Sequence, residues 1–397
     1  MSLVSTASAV RVDKKCLRGV LVAVILLILA VVLVSCGGNQ RLPAFGSAHN
    51  AYITLPTEGS VALLHIDGLS GVISLVARTP QVNGTSPSGL ALMNKFLFVA
   101  NSQANTISTF SVAGDGTLSA IGDAVPTGGS GPNAVVVDPS GQYLLVTNRS
   151  LSDSVSVFSI DSGSGALTPV TGSPFYANDS PDEILMPASG NLVYVTNSRI
   201  GTVTAFTFSP STGFLTPVPG SPFISGAGAS ALAIDGSGSF LYVANTSALN
   251  AGSTTVGNIS GFTINNAPGA TFGALTVISG SPFTMPVGNG PSAMVVDPSN
   301  RFLFATTPGG NFSIWCFEIN AFSQNGQLTV VAGAPFSVSA GGLFAVIDRK
   351  GDFFYMGNQE AHGITAYTFN PNTGQPLLIN GSPFSTGTAP GQMLIAD

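Results

Sequence analysis

The sequence predicts an all-β fold, a seven-bladed β-propeller of four-stranded antiparallel blades, closed by pairing of the C-terminal strand with the N-terminal blade. Three observations predict it. A tetrapeptide recurs at intervals of roughly 50 residues, a spacing that marks a repeat architecture. Each interval resolves into the same four short runs separated by turn residues. The two ends of the chain carry complementary parts of one unit.

The tetrapeptide is Tyr194-Val-Thr-Asn197, with near-copies at Phe98-Val-Ala-Asn101, Leu145-Val-Thr-Asn148, Tyr242-Val-Ala-Asn245 and Tyr355-Met-Gly-Asn358. Degraded copies at Tyr52-Ile-Thr-Leu55 and Phe304-Ala-Thr-Thr307 bring the number to seven. Before each copy stands an apolar run and a turn, as in Ala134 to Asp138 followed by Pro139-Ser140-Gly141. After it comes an alternating run, such as Val155 to Ile160 or Val203 to Phe208, whose period of two marks a strand with one face more buried. A Gly turn then leads to a short fourth run, Ala166 to Val170 or Phe214 to Val218, and Gly-Ser-Pro-Phe closes the unit at 172, 220, 280 and 381. A lone blade has two apolar faces and buries both only between neighbours, so the units stack in a ring. The chain enters the repeat in a second strand, at Ala51, and leaves it in a first strand, Gln392 to Ala396. Each end supplies what the other lacks.

Composition agrees. Only 8% of the 397 residues are charged, against roughly 25% in ordinary soluble domains. Hydrophobic residues make up 44%, which excludes disorder. The 48 Gly and 26 Pro suit many tight turns. Nucleic acid is excluded as a partner, because the 12 Lys and Arg form no basic stripe and four of them precede residue 19.

Those four, Arg11, Lys14, Lys15 and Arg18, head an apolar run from Gly19 to Val34 that is shorter than the ~20 residues of a spanning helix. It fits the h-region of a signal peptide. Leu33-Val34-Ser35-Cys36 follows and resembles the bacterial lipobox. The expected organisation is a signal peptide over 1–35, a lipidated linker over 36–47 and the propeller over 48–397. The resemblance implies acylation of Cys36, attachment to a membrane through that anchor, and a location in the cell envelope. Removing Arg11, Asp13, Lys14, Lys15 and Arg18 from 12 basic and 18 acidic side chains leaves an acidic mature chain of 8 and 17. Cys316 then remains without a disulfide partner, in apolar surroundings that suit a structural thiol.

Recurrence separates scaffold from candidate sites. Asp138, Asp235 and Asp297 precede turns and are expected to cap backbone N–H groups. Asn101, Asn148, Asn197, Asn245 and Asn358 end second strands, where Asn tolerates left-handed geometry and bonds its own turn. The loops after second and fourth strands share one face, the usual ligand face, and a small molecule or protein is expected there. It carries residues that occur once at their register. Asp179, Asp182 and Glu183 form its densest cluster. Their oxygens could hold Ca²⁺, Asp182 or Glu183 could act as a general base, or the loop is simply solvated. Arg149 and Arg199 open equivalent loops and could bind a carboxylate, or pair with Asp153 or Asp179. Glu360 and His362 lie on the same face; one His is no zinc site. The long loop between Asn245 and Gly257 is a further place for binding.

The tetrapeptides resemble the YVTN-type propeller repeat, and the mature chain is similar to the lactonase-like family that includes 6-phosphogluconolactonase. The resemblance covers residues 48–397 and implies the seven-bladed fold. It also implies a Pro-Arg-His at the start of an inner strand and a Glu after a strand-ending Asn. The corresponding positions here read Pro132-Asn-Ala, Pro181-Asp-Glu and Pro291-Ser-Ala, and the residues after Asn are Ser102, Arg149, Ser198, Thr246 and Gln359, with Glu360 one place late. Two function classes follow: a lipid-anchored binding or interaction propeller, which the missing signatures favour, and a lactonase-like hydrolase of a neutral lactone or sugar-derived ester. Metabolic labelling with a fatty acid should mark the wild-type chain and lose its signal in Cys36→Ala. Labelling that persists in that variant refutes the anchor.

Overall fold

The computed structural model describes residues 49–396, apart from 81–85, 151, 247–256, 286–289, 309–312, 320–324 and 339–340. The expected signal segment over 1–35, Cys36, the expected linker and most of the loop between Asn245 and Gly257 thus lie outside the described residues.

Seven antiparallel sheets form, and none of the described residues is helical. Blade 1 combines His49–Leu55, Ser60–Ile66 and Ile73–Arg78 with Met393–Ala396 as its innermost strand. Blades 2 to 7 follow in order, over residues 87–126, 132–176, 181–224, 229–284, 293–337 and 342–385. The seven-bladed fold and its closure are as the sequence predicts. Asn50 stands opposite Ala396 and Ile53 opposite Met393. Gln392 extends the seam, since its carbonyl accepts from the Thr54 N–H at 2.9 Å and its own N–H donates to Thr54 Oγ1 at 2.8 Å.

Both faces of each second strand are apolar, and both are covered. Val193 and Val195 pack with Leu145, Val157 and Phe206 between blades 3 and 4. Leu192 and Tyr194, one residue out of phase, pack with Leu241, Val243 and Phe262 between blades 4 and 5. Each such side chain contributes about 1.5–3 kcal/mol of burial, and the ring lets every blade collect it twice.

The repeat motifs carry more than apolar surface. Tyr hydroxyls at the head of the tetrapeptide reach the next blade. Tyr52 donates to the Gly116 carbonyl, Tyr194 to Gly273, Tyr242 to Gly326 and Tyr355 to Gly71, at 2.8–3.2 Å. These glycines have φ of 67–86°. A Cβ on Gly273 would stand 2.4 Å from the Leu192 side chain, so the close approach requires glycine there.

The strand-ending Asn residues differ from their expected role. They are fully buried, lie within strands and are not left-handed. Their amides donate across to a hydroxyl at the third position of the next strand: Asn101 to Ser108, Asn148 to Ser156, Asn197 to Thr204, Asn245 to Ser260 and Asn358 to Thr365. Those hydroxyls pass the chain on, Ser156 to the Thr127 carbonyl, Thr204 to Ala177 and Ser260 to Ser225. Each blade is thereby tied to the segment that delivers the chain into it. Among these side chains only that of Asn358 also accepts a bond from its own turn, from the Ala361 N–H.

The aspartates behave as expected. Asp138 Oδ1 accepts the N–H groups of Gln142 and Tyr143, and Oδ2 accepts the Ser140 N–H and hydroxyl. Asp235 and Asp297 repeat the pattern, and Asp348 is a further copy that bonds the Phe353 N–H. Gly-Ser-Pro-Phe adds a refinement. Its Pro follows a cis peptide bond, and the Phe starts a two-residue fifth strand on the third strand of blades 3 to 7. The Ser hydroxyl accepts the third-strand N–H that this break leaves over, as at Ser221 for Ala205.

Ring closure makes a prediction. Deleting residues 386–397 removes the innermost strand of blade 1 and exposes both sides of a seam. The deletion variant should lack a cooperative thermal unfolding transition, and a transition unchanged from wild type would refute closure as the source of cooperativity.

Candidate functional site on the loop face

The loop-face ends of the innermost strands carry one polar residue each in most blades, and these residues are mostly spent on holding the ring. Ser88 donates to the Pro132 carbonyl at 2.8 Å and Ser292 to the Gly342 carbonyl at 2.7 Å. Gln392 Oε1 accepts the Leu90 N–H at 2.9 Å. At the seam between blades 7 and 1, Arg78 pairs with Glu58 at 3.2 Å and donates to the Thr386 carbonyl, while Thr388 donates to Glu58. Glu58 and Arg78 are therefore structural ties.

Blades 3 and 4 depart from this pattern. Pro181–Leu185 opens blade 4 with a register break between Pro181 and Ile184, which places Asp182 and Glu183 at the strand's irregular end. Asp182 Oδ1 accepts the Asn133 amide at 2.7 Å and stands 3.5 Å from Arg149 Nη1. Its carbonyl accepts Asn133 and Thr147. Burial pushes the Asp182 carboxyl above the usual range and Arg149 opposes that shift. Arg149 thus pairs with Asp182, not with Asp153, which instead accepts the Ser180 N–H.

Glu183 occupies an unusual register. Its N–H bonds Thr196 Oγ1 at 2.9 Å, as the Ala134 N–H bonds Thr147 Oγ1 one blade earlier. At this place five of the other blades carry Gly89, Ala134, Ala231, Ala293 and Phe344, and blade 1 carries Gln392, whose N–H likewise bonds Thr54 Oγ1 and whose Oε1 accepts the Leu90 N–H. The Glu183 carboxyl has no hydrogen bond or ion pair among the described residues. Burial, reinforced by the neighbouring Asp182, pushes its pKa up to about 8. Its surroundings thus favour the protonated form, at the end of a strand held by the ring.

The remaining candidates fall outside this group. Arg199 pairs with Asp179 at 3.2 Å and is largely exposed, a surface pair of small energetic value. Glu360 and His362 are exposed in the loop between Phe353–Asn358 and Gly363–Phe369, and only the His362 backbone is engaged, by Thr386. Among the described residues no three or more His, Cys, Asp and Glu side chains assemble a metal site. Of the three acids named as Ca²⁺ candidates, Asp179 and Asp182 each face an arginine. Cys316 is buried and its thiol is pushed well above the usual range, chiefly by burial, which suits a structural role. Asn133, Thr147 and Thr196 are site residues that motif reading missed; alignment of the Pro132 and Pro181 registers is the signal that finds them.

The model of the family described as "Lactonase, 7-bladed beta-propeller" matches residues 45–256 and 255–388. No curated protein matches the chain. Similar solved structures include a Bacteroides fragilis protein provisionally named a 6-phosphogluconolactonase, with TM-score 0.75 and 18% identity over 90% of this chain and 100% of that one. The periplasmic gluconolactonase PpgL of Pseudomonas aeruginosa gives TM-score 0.72 and 19% identity over 88% and 99%. A Lactobacillus plantarum protein gives 0.70 and 17% over 88% and 100%. At these identities the likeness is one of fold.

The Glu183 proton has a thermodynamic signature. The unfolded chain ionises this group near 4.5 and the folded protein near 8, so its contribution is complete below pH 4.5 and is lost as pH rises toward 8. Glu183→Gln stays neutral throughout. Calorimetric scans should show the Tm of the variant gaining on wild type between pH 4.5 and 8, and a constant gap would show that Glu183 ionises normally.

Proposed function

The chain belongs to the seven-bladed β-propeller lactonase family, and on that premise we propose that it is a lipid-anchored, extracytoplasmic propeller whose loop face binds a small, uncharged, hydroxyl-bearing molecule where blades 3 and 4 meet. One observation carries this: the Glu183 carboxyl, without a hydrogen-bond partner among the described residues and pushed toward its protonated form by burial, beside the Asp182, Asn133 and Arg149 cluster, at a register where five of the other blades carry Gly, Ala or Phe. Such a group of mixed donors and acceptors suits hydroxyls. It does not suit a phosphorylated sugar lactone, because both arginines of these blades already face carboxylates and leave little cationic charge for a phosphate. The lipobox-like Leu33 to Cys36 supports the location, and the P. aeruginosa relative is named as periplasmic.

A second reading is lactone hydrolysis, and Glu183 itself favours it. A carboxylic acid with pKa near 8 can give its proton to the ring oxygen as the acyl C–O bond breaks and regain one from the attacking water. The product is the open hydroxy acid. Fold membership does not choose between the two, since propellers of one family differ in their loops.

Calorimetric titration with neutral sugar lactones, their hydroxy acids and a phosphorylated lactone, with hydrolysis followed by pH-stat, separates the readings. Binding of neutral members without turnover is expected, weakened about tenfold or more, ~1.4 kcal/mol, in Asp182→Asn/Glu183→Gln. Turnover that disappears in the variant would establish the hydrolase instead, and binding that survives unchanged would remove the site.

A further inference from the structure

The innermost strands of the blades form the wall around the axis of the ring, and that wall changes character along its length. At its loop-face end blades 2 to 6 carry Ser88, Asn133, Asp182, Ser230 and Ser292 at one register, with Gly391 in blade 1 and Leu343, 38% exposed, in blade 7. Further along the same strands the polar side chains stop. Four residues on stand Leu92, Val137, Met186, Ile234 and Val296, and blades 7 and 1 complete the set with Ile347 and Ile395. All of these are half-buried. The register just before them holds Val136, Leu185, Val295, Val346 and Leu394, also half-buried, and the smaller Ala91 and Ala233.

This residual exposure faces the axis. Each first strand is covered on its two faces by the neighbouring blades and on its outer edge by its own second strand, which leaves the inner edge. The ladder partners one strand outward, Leu97, Leu144, Leu241, Leu303 and Phe354, are fully buried. The exposure therefore belongs to the inner edge and not to the end of the sheet. On blade 4 the polar and apolar parts of the wall are close neighbours in one segment, Asp182 and Glu183 and then Leu185 and Met186. At about 3.3 Å per residue the apolar part begins roughly 10 Å from Asp182. Water beside such a wall finds few side-chain partners, and its displacement by an aliphatic chain is favourable.

We propose that the ligand held by Asp182, Glu183 and Asn133 is an amphiphile: its neutral, hydroxyl-bearing head sits at that group, and its aliphatic tail runs along the axis beside Val136, Val137, Leu185 and Met186. The inference deepens the loop-face reading and rests on it. Continuity of the head group with the apolar wall selects the occupant. A sugar or lactone without a tail leaves that wall unused, and a folded partner cannot follow it between the strands. A hydrocarbon alone has no use for the polar end.

The probes are alkyl glucosides from methyl to hexyl, below their micelle concentrations, titrated calorimetrically into the full chain with protein-free samples as blanks. Affinity should rise about fourfold for each added methylene that is buried. Val136→Thr/Val137→Thr and, across the ring, Val295→Thr/Val296→Thr keep the shape of the wall and add hydroxyls to it. Whichever pair retains a cooperative unfolding transition should bind the hexyl member at least tenfold less and the methyl member as before. Asp182→Asn/Glu183→Gln should weaken every member alike and leave the rise per methylene in place. Methyl binding that the head variant weakens, with no rise along the series, overturns the tail and leaves the loop-face reading standing. A rise that persists in the valine variants places the tail elsewhere and also overturns the proposal. A rise that depends on the valines but ignores the head variant overturns the loop-face reading and the two-part ligand with it, as does binding of no member.

Discussion

The structure depends on one constraint: a four-stranded blade here has two apolar faces and no way to bury both alone. Only a closed ring of blades satisfies it. The last link in that ring is the pairing of Met393–Ala396 with His49–Leu55, made by strands at opposite ends of the described chain. Everything else in the fold is arranged so that each blade meets its neighbour correctly. The tetrapeptide concentrates that work. Its first residue bonds the next blade through a Tyr hydroxyl, its second and alternate residues fill the space between blades, its Thr bonds the next innermost strand, and its Asn holds the adjoining strand. Recurrence of this tetrapeptide is therefore recurrence of an interface.

That explains which parts were legible in the sequence. Blade number, strand order and ring closure follow from the spacing of the copies and the unmatched ends, since period and alternation are properties of a single strand. The role of the Asn residues does not follow in the same way. Their partners, such as Thr204 for Asn197 and Ser156 for Asn148, lie on another strand and become neighbours only once pairing brings the third position opposite. Local reasoning assigned the Asn side chains to turns because turns are the only partners visible locally. The aspartates were read correctly because their partners are two to five residues away. The fifth strand after Ser-Pro escaped for the same reason as the Asn partners, its pairing being with the third strand and not its sequence neighbours.

The candidate site shows the converse use of a repeat. A residue that departs from its register is more informative than one that repeats. Five blades place Gly, Ala or Phe where blade 4 places Glu183, and blade 1 places Gln392, whose side chain accepts the Leu90 N–H of blade 2; the Glu183 carboxyl makes no such tie among the described residues. Its burial raises the cost of ionising it, and no compensating donor is present among the described residues. Asp182, one residue earlier, is also largely enclosed and is compensated, by Asn133 and Arg149 from the preceding blade. The sequence places the two acids side by side; only the crossing from blade 3 to blade 4 distinguishes the paired one from the protonated one. Perturbed groups of this kind cluster at functional sites, which is why Glu183 weighs more here than the larger number of exposed charges.

The same ring geometry keeps the proposed binding group at one end of the strands. Second strands run toward the loop face, so His49, at the start of such a strand, lies at the far end from Glu58 and from the Asp182 cluster. A small solute would then reach Asp182 and Glu183 from the aqueous phase, and the low net charge of that corner would neither concentrate nor repel it. Recognition there has to come from hydrogen-bond geometry, and that is what a rigid strand end carrying a neutral acid, an amide and a paired guanidinium provides.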